Sequence, residues 1–153
     1  MSASLINEST RIKVSSVLNR DVTTFGKQNL TDGDDETCWN SEQGLPQYIL
    51  LDFRRPVFVR QIQLMFQGGF VGKKCQLLGG AQGSQYEPIT TFYPDDSGVQ
   101  MLSKVIPFLD LTAYVFPISS LAGTERLQIV FEESTDFYGR ITVYKLDVIG
   151  EEA

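Results

Sequence analysis

The chain has 153 residues, 42% of them hydrophobic, and a formal net charge of -6; that is the size of one domain with enough apolar material for one packed core. The acidic balance excludes a default surface for nucleic acid or anionic membrane, because both need a basic footprint, and the pairs Arg54-Arg55 and Lys73-Lys74 are too short to supply one. Histidine is absent, which removes together the usual general base, the usual triad partner and the commonest metal ligand.

Other function classes fall with these. No glycine-rich phosphate loop, GxGxxG or GxSxG pattern is present, so the nucleotide-binding and acyl-transfer templates fail and no enzyme is expected. No window approaches the roughly 18 apolar residues of a membrane span, and the first residues do not run from basic to apolar as a secretion signal does. A soluble, non-secreted protein is expected, with neither membrane nor nucleic acid as partner. Cys38 and Cys75 lack CxxC spacing and a histidine to complete a zinc set, so both are expected to be buried, reduced thiols. Asn7-Glu8-Ser9 and Asn29-Leu30-Thr31 match the glycosylation acceptor pattern, which matters only in a secreted chain.

Taken in chain order, short β-branched and aromatic runs recur between Gly, Pro, Asn and Asp clusters, the pattern of an antiparallel sandwich or barrel. Arg11 to Leu18 reads as the first strand. Asn19 to Asn29 is polar and reads as a loop or turn. In Asp32-Gly33-Asp34-Asp35-Glu36-Thr37-Cys38-Trp39-Asn40-Ser41, carboxylates run into the chain's one tryptophan. Read as an EF-hand from Asp32, the spacing fails, because Thr37 falls where the loop glycine belongs and Gln43 where the bidentate Glu belongs. A turn whose Asp side chains cap backbone N–H groups before Trp39 enters the core is the better expectation.

Pro46 to Phe53 sets Ile49, Leu51 and Phe53 on one face. Pro56 to Phe66 sets Ile62, Leu64 and Phe66 on one face and Gln61, Gln63 and Met65 on the other, which is expected to meet solvent. Gln67 to Gly72 holds three glycines and reads as a loop with one exposed aromatic, Phe70. Further strands are expected at Lys74 to Leu78, Ile89 to Tyr93, Arg126 to Phe131 and Arg140 to Ile149. Met101 to Val115 fits neither period cleanly. Its Leu102, Val105 and Ile106 have the spacing of an LxxVI corepressor box, a pattern short enough that a packed or loose insertion is the better expectation.

The run Leu30, Asp32-Gly33-Asp34, Thr37, Trp39 and Ser41, continued by Pro46-Gln47-Tyr48-Ile49-Leu50-Leu51-Asp52-Phe53, resembles the start of a discoidin, or coagulation factor type C, domain. Arg140 to Gly150 resembles that family's closing strand, and Ser15-Ser16 fits near its start, so the resemblance covers most of the chain. It implies an all-β, antiparallel jelly-roll sandwich of the galactose-binding-like type with about eight strands. One domain over residues 1–153 is expected, with 101–115 as an insertion or a gene-model artefact.

Asp35 to Gly44, Met65 to Phe70, Phe92 to Asp96 and Thr135 to Arg140 resemble a small intracellular branch of this fold associated with an orphan nuclear receptor. That resemblance implies a non-enzymatic protein-interaction module that binds the receptor and represses its transactivation in the nucleus and also in the cytoplasm; the chain is expected to be monomeric on its own. The secreted relatives tie their chain ends with a disulfide, and Cys38 and Cys75 are not at the ends, as suits an intracellular chain.

The family also implies where to look for sites. In its carbohydrate-binding members the acidic turn holds a structural calcium, for which Asp32, Asp34 and Thr37 with the Leu30 carbonyl are the matching ligands. Lys145 stands about where the last-strand Glu is expected, with Asp147 pointing the same way, so calcium is disfavoured and no cofactor is expected. Family ligands bind at loops on one end of the sandwich, matching Asn19 to Lys27, Gln67 to Lys74 and Glu133 to Arg140. The candidate partner-binding residues there are Arg20, Phe25, Phe70, Lys73, Phe137 and Arg140, with Phe137 and Tyr138 expected to pack beneath the loop. A glycan-binding module and a substrate-recruiting subunit of a larger complex are the alternative functions.

Overall fold

The structure is a computed structural model and describes residues 3–34, 36–83, 85–94, 115–117 and 124–152. Its strands in chain order are β1 (Ala3–Ser4), β2 (Arg11–Val14), β3 (Trp39–Asn40), β4 (Gln47–Phe66), β5 (Gly72–Gly80), β6 (Glu87–Phe92), β7 (Val115–Pro117), β8 (Thr124–Ser134) and β9 (Thr142–Glu152). Every pairing between them is antiparallel.

The organising element is β4. Its first half pairs with β2 and β8, from Gln47 opposite Phe131 to Asp52 opposite Arg126. Its second half pairs with β9 and β7, from Val57 opposite Glu152 to Phe66 opposite Val143. One strand therefore belongs to both layers of a sandwich. The first sheet runs β2-β4-β8-β5-β6, and the second sets β4 against β9, which carries β1 and β3 on its far side. The change of sheet falls at Arg54, whose φ of 63° is left-handed, inside the register break between Asp52 and Val57. Strands that switch sheets through such irregularities form the corners of sandwiches. Two separate strands expected around Arg54-Arg55 are thus one strand of 20 residues.

Alternation then does what the sequence requires. Ile49, Leu51 and Phe53 face Leu127, Ile129 and Phe131 on one inner wall, and Ile62, Leu64 and Phe66 face Leu146 and Val148 on the other, all in one buried cluster with Trp39. Gln61 and Gln63 stay half-exposed, but Met65, expected beside them in solvent, is only 4% exposed. It sits outside the central cluster at the register shift that puts Met65 opposite Lys145 and Phe66 opposite Val143. A strict two-residue period does not carry through such an irregularity.

The first predicted strand is shorter than expected, ending at Val14. The polar stretch after it is not all loop: a 3₁₀ turn at Leu18–Arg20 precedes a single-turn helix, α1 (Val22–Phe25), and a second 3₁₀ turn at Lys27–Leu30. Asp21 caps α1 by accepting from the Thr24 amide at 3.1 Å, the usual gain at an exposed helix start. Asn29, in one of the two glycosylation-type patterns, is buried, and its Nδ2 donates to the Thr24 and Cys38 carbonyls at 2.8 Å each. That amide ties the helical turn to the start of β3. Both cysteines are buried and unbridged; burial pushes the Cys38 thiol up to about 11 and raises Cys75 too, with the nearby Glu132 adding to it. The expected insertion at 101–115 lies outside the described residues except for Val115, and so do Asp95 and Asp96.

Candidate functional site

Trp39 fixes the end of the sandwich where the loops gather. Its ring is fully buried, lies 6.2 Å from the Phe131 ring, and donates Nε1–H to the Ser16 carbonyl at 2.9 Å. Ser16 Oγ and Ser15 Oγ donate to Gln47 Oε1 at 2.7 and 2.5 Å, and Gln47 Nε2 donates to the carbonyls of Gly44 and Glu42. Gln47 is itself buried. A buried side-chain amide that satisfies both its donor and its acceptor holds its neighbours in one geometry. Here it clamps the 15–16 and 42–44 segments together, and the Asn19 amide joins them by donating to Glu42 Oε2 at 2.9 Å.

Three loops are then sewn edge to edge by backbone bonds. The Gly44 amide donates to the Tyr138 carbonyl at 2.8 Å, Thr135 to Val71 at 2.9 Å, and Thr142 to Phe70 at 3.2 Å. Ser41 closes the set, since the Ile141 amide donates to its Oγ at 2.9 Å. The rim formed by 41–46, 67–71 and 134–141 is thus a single bonded surface.

On this rim the expected exposures are reversed. Phe137 is 92% exposed and Tyr138 59% exposed, their rings edge to face at 5.2 Å, whereas Phe70 is half-buried. The cause is Arg140. Its Nε and Nη2 donate to Asp136 Oδ2 and Oδ1 at 2.9 and 3.2 Å, and the guanidinium so fixed lies 5.1 Å from the centre of the Phe70 ring and 5.7 Å from that of Tyr138. A two-point carboxylate clamp with a ring beneath it orders a loop more than a single surface ion pair does. Gly139, at a φ of 82°, completes the turn; a Cβ there would come within 3.0 Å of Leu45 Cγ.

Leu45, 42% exposed, was absent from the residues the sequence suggested. The Gly-Leu-Pro signal at 44–46 marks a turn, but nothing local shows that this turn reaches Tyr138. Leu45, Phe137 and Tyr138 make up three of the five exposed large hydrophobics among the described residues, the others being Val22 and Tyr93. Of the remaining candidates, Arg20 is exposed beside the Asn19 tie, and Lys73 is exposed at the start of β5. Phe25 is half-buried at the end of α1, on the segment that Asn29 anchors to β3. The structure gathers Phe70, Phe137 and Arg140 and leaves Phe25 apart from the ring and cation contacts seen among the described residues.

The hydrogen bonds of Asp136 to Arg140 hold its carboxyl below the ordinary value of 3.8. A lowered folded-state value means that this contribution to stability is present above 3.8 and is lost as pH falls through the lowered value. In Arg140→Gln the Asp136 carboxyl should titrate back in the ordinary carboxylate range. Carboxyl NMR measures this directly, and an unmoved midpoint would contradict the clamp.

The acidic turn is hydrogen-bonded within itself. Asp32 accepts from Thr37 Oγ1 at 2.6 Å and from the Asp34 amide at 3.0 Å, and Asp34 accepts from the Glu36 amide at 2.9 Å. The three ligand candidates are engaged with one another, and Lys145 and Asp147 line the same hollow as Thr31 and Gly33. Asp147 for its part accepts from Ser4 Oγ at 2.6 Å.

No protein-family model matches the chain. It is 46% identical over 151 residues to the nuclear receptor 2C2-associated protein of Danio rerio, covering 99% of this chain and 98% of that one. The chain belongs to the nuclear receptor 2C2-associated protein family. The human protein of that name is 42% identical over 153 residues, with 99% of each chain covered.

Among solved structures, an F5/8 type C domain of a Bacteroides fragilis protein aligns with a TM-score of 0.72 at 12% identity, covering 97% of this chain and 96% of that one. A Clostridium perfringens module solved in complex with GalNAc-β-1,3-galactose aligns with a TM-score of 0.71 at 15% identity, covering 95% and 99%. The discoidin-type, galactose-binding-like jelly roll implied by the sequence is therefore the fold.

Proposed function

We propose that this chain is a non-enzymatic interaction module that binds a nuclear receptor through the loop rim and represses its transactivation, in the nucleus and also in the cytoplasm. One observation carries the reading: Leu45, Phe137 and Tyr138 expose apolar surface on a rim whose backbone is already bonded into shape. Exposed aromatics on a pre-ordered support are what protein interfaces use as anchors, because little ordering entropy remains to be lost on binding. The name of its relatives supports the partner, since each is called a nuclear receptor 2C2-associated protein.

The test is co-purification of the full chain with nuclear receptor 2C2. Phe137→Ala combined with Tyr138→Ala should weaken binding about tenfold, or about 1.4 kcal/mol, with the melting temperature unchanged. Full retention of binding would remove the rim as the contact surface, and a receptor reporter unaffected by the wild-type chain would remove the repressor role. A glycan-binding role is the second reading, favoured by the exposed Tyr138 ring on which a sugar can stack. A glycan array with no signal above background would dismiss it.

A further inference from the structure

A second surface lies away from the rim, on the outer face of the first sheet. A groove of about 660 Å³ runs there between β2 and the 3₁₀ turn at Lys27–Leu30, across β4, to Tyr86 and Arg126. It is mostly apolar at its floor, where Leu50 is half-buried, and its walls are basic. Arg11, Lys13, Lys27 and Arg126 line it, and Arg54 lines the adjoining hollow that shares Arg11 and Asp52. Five of the chain's 13 Lys and Arg residues thus gather on one face of a protein whose net charge is -6. Among the described lining residues the one carboxylate is Asp52, opposite both Arg11 and Arg126 in the strand register, so the row stays positive. Asp52 also accepts from Gln82 Nε2 at 2.8 Å and from the Arg54 amide at 2.9 Å.

A simpler role accounts for part of this. Charged side chains on β2, the outermost strand on that side, discourage edge pairing with other chains. Edge protection does not require Lys27 on the opposite wall. Nor does it require Arg126 on an inner strand, held 4.8 Å over the Tyr86 ring with Nη2 donating to the Ala81 carbonyl at 3.0 Å. A guanidinium stacked on a ring and bonded to a carbonyl is fixed in orientation before any ligand arrives. Arg11 and Lys13 project from the same face two residues apart on β2, about 7 Å along the strand.

We propose that this groove docks an acidic peptide segment of a protein partner, its carboxylates on the basic walls and its apolar side chains on the Leu50 floor. At physiological ionic strength the screening length is about 8 Å, so the local patch outweighs the acidic remainder of the chain at contact. The proposal does not depend on the receptor reading, because groove and rim share no residue.

The probe is a fluorescent peptide of Glu and Leu, titrated into the full chain by anisotropy, with a twin carrying Gln for Glu. Lys13 and Lys27 are exposed, so Lys13→Glu combined with Lys27→Glu should keep the wild-type melting temperature while weakening the acidic peptide roughly tenfold or more. The Gln twin should bind far more weakly, added salt should lower the affinity, and the Phe137→Ala, Tyr138→Ala chain should bind the peptide as wild type does. Equal binding of the twin, an unaffected lysine variant, no binding at all, or a single-stranded oligonucleotide that binds more tightly than the peptide would each overturn the proposal.

Discussion

Trp39→Ala is expected to lose about 3–5 kcal/mol of stability, the usual cost of deleting a fully buried aromatic side chain. Against a total of about 5–15 kcal/mol for a domain, that leaves a fold close to its threshold. The loss reaches beyond packing, because the indole N–H holds the Ser16 carbonyl, and Ser16 Oγ both donates to Gln47 and accepts from the Glu42 amide. Trp39→Phe keeps a buried ring while removing the donor and part of the indole volume, for which about 1–2 kcal/mol is expected. Denaturant unfolding followed by circular dichroism measures both, since Trp39 is the sole tryptophan and its fluorescence vanishes with it. Equal costs for the two variants would show that the hydrogen bond, and not the buried ring, is what the fold depends on.

Gly150→Ala should cost about 1–3 kcal/mol, within the range for overpacking a tight interior. Gly150 sits in β9 between β1 and β4, paired with Ala3 and Val59. A Cβ there would overlap the Phe58 carbonyl oxygen and press Leu5 Cδ1. The first of these is backbone in a paired strand and has nowhere to go. A melting temperature lower by roughly 3–10 °C is the expected result. Gly33→Ala is the control: its φ is 74° with nothing within 4 Å of an added Cβ, so it pays only the left-handed backbone term of about 1–2 kcal/mol. A Gly150→Ala chain that melts with the wild type would show that a Cβ is accommodated there and that the close approach is not tight.

Much of the fold was legible because it rests on local chemistry. The Asp side chains of the acidic turn cap backbone amides a residue or two away, and Trp39 follows them at a spacing that few folds share. Period-two runs such as Ile49, Leu51 and Phe53 place themselves. What was hidden depends on residues far apart in the chain. Nothing near Phe70 says that the Arg140 guanidinium will cover it, and nothing near Leu45 says that Gly44 will bond to Tyr138. Met65 is misplaced by the alternation rule because the irregularity opposite Tyr144 is a property of the β4–β9 pair and not of either strand. The basic groove was missed for the same reason: Arg11, Lys13, Lys27 and Arg126 form no run, and only the register of three strands and a turn collects them.

The double membership of β4 bears on how the protein is made. Its early pairing partner is the four-residue β2, while β7, β8 and β9 all begin at or beyond residue 115. A chain emerging from the ribosome therefore carries a long, apolar, largely unpaired strand through most of its synthesis. Such an edge is a template for aggregation until its partners arrive. A nascent chain stalled before Thr124 is expected to recruit chaperones, and folding begins in earnest only when the last strands are released.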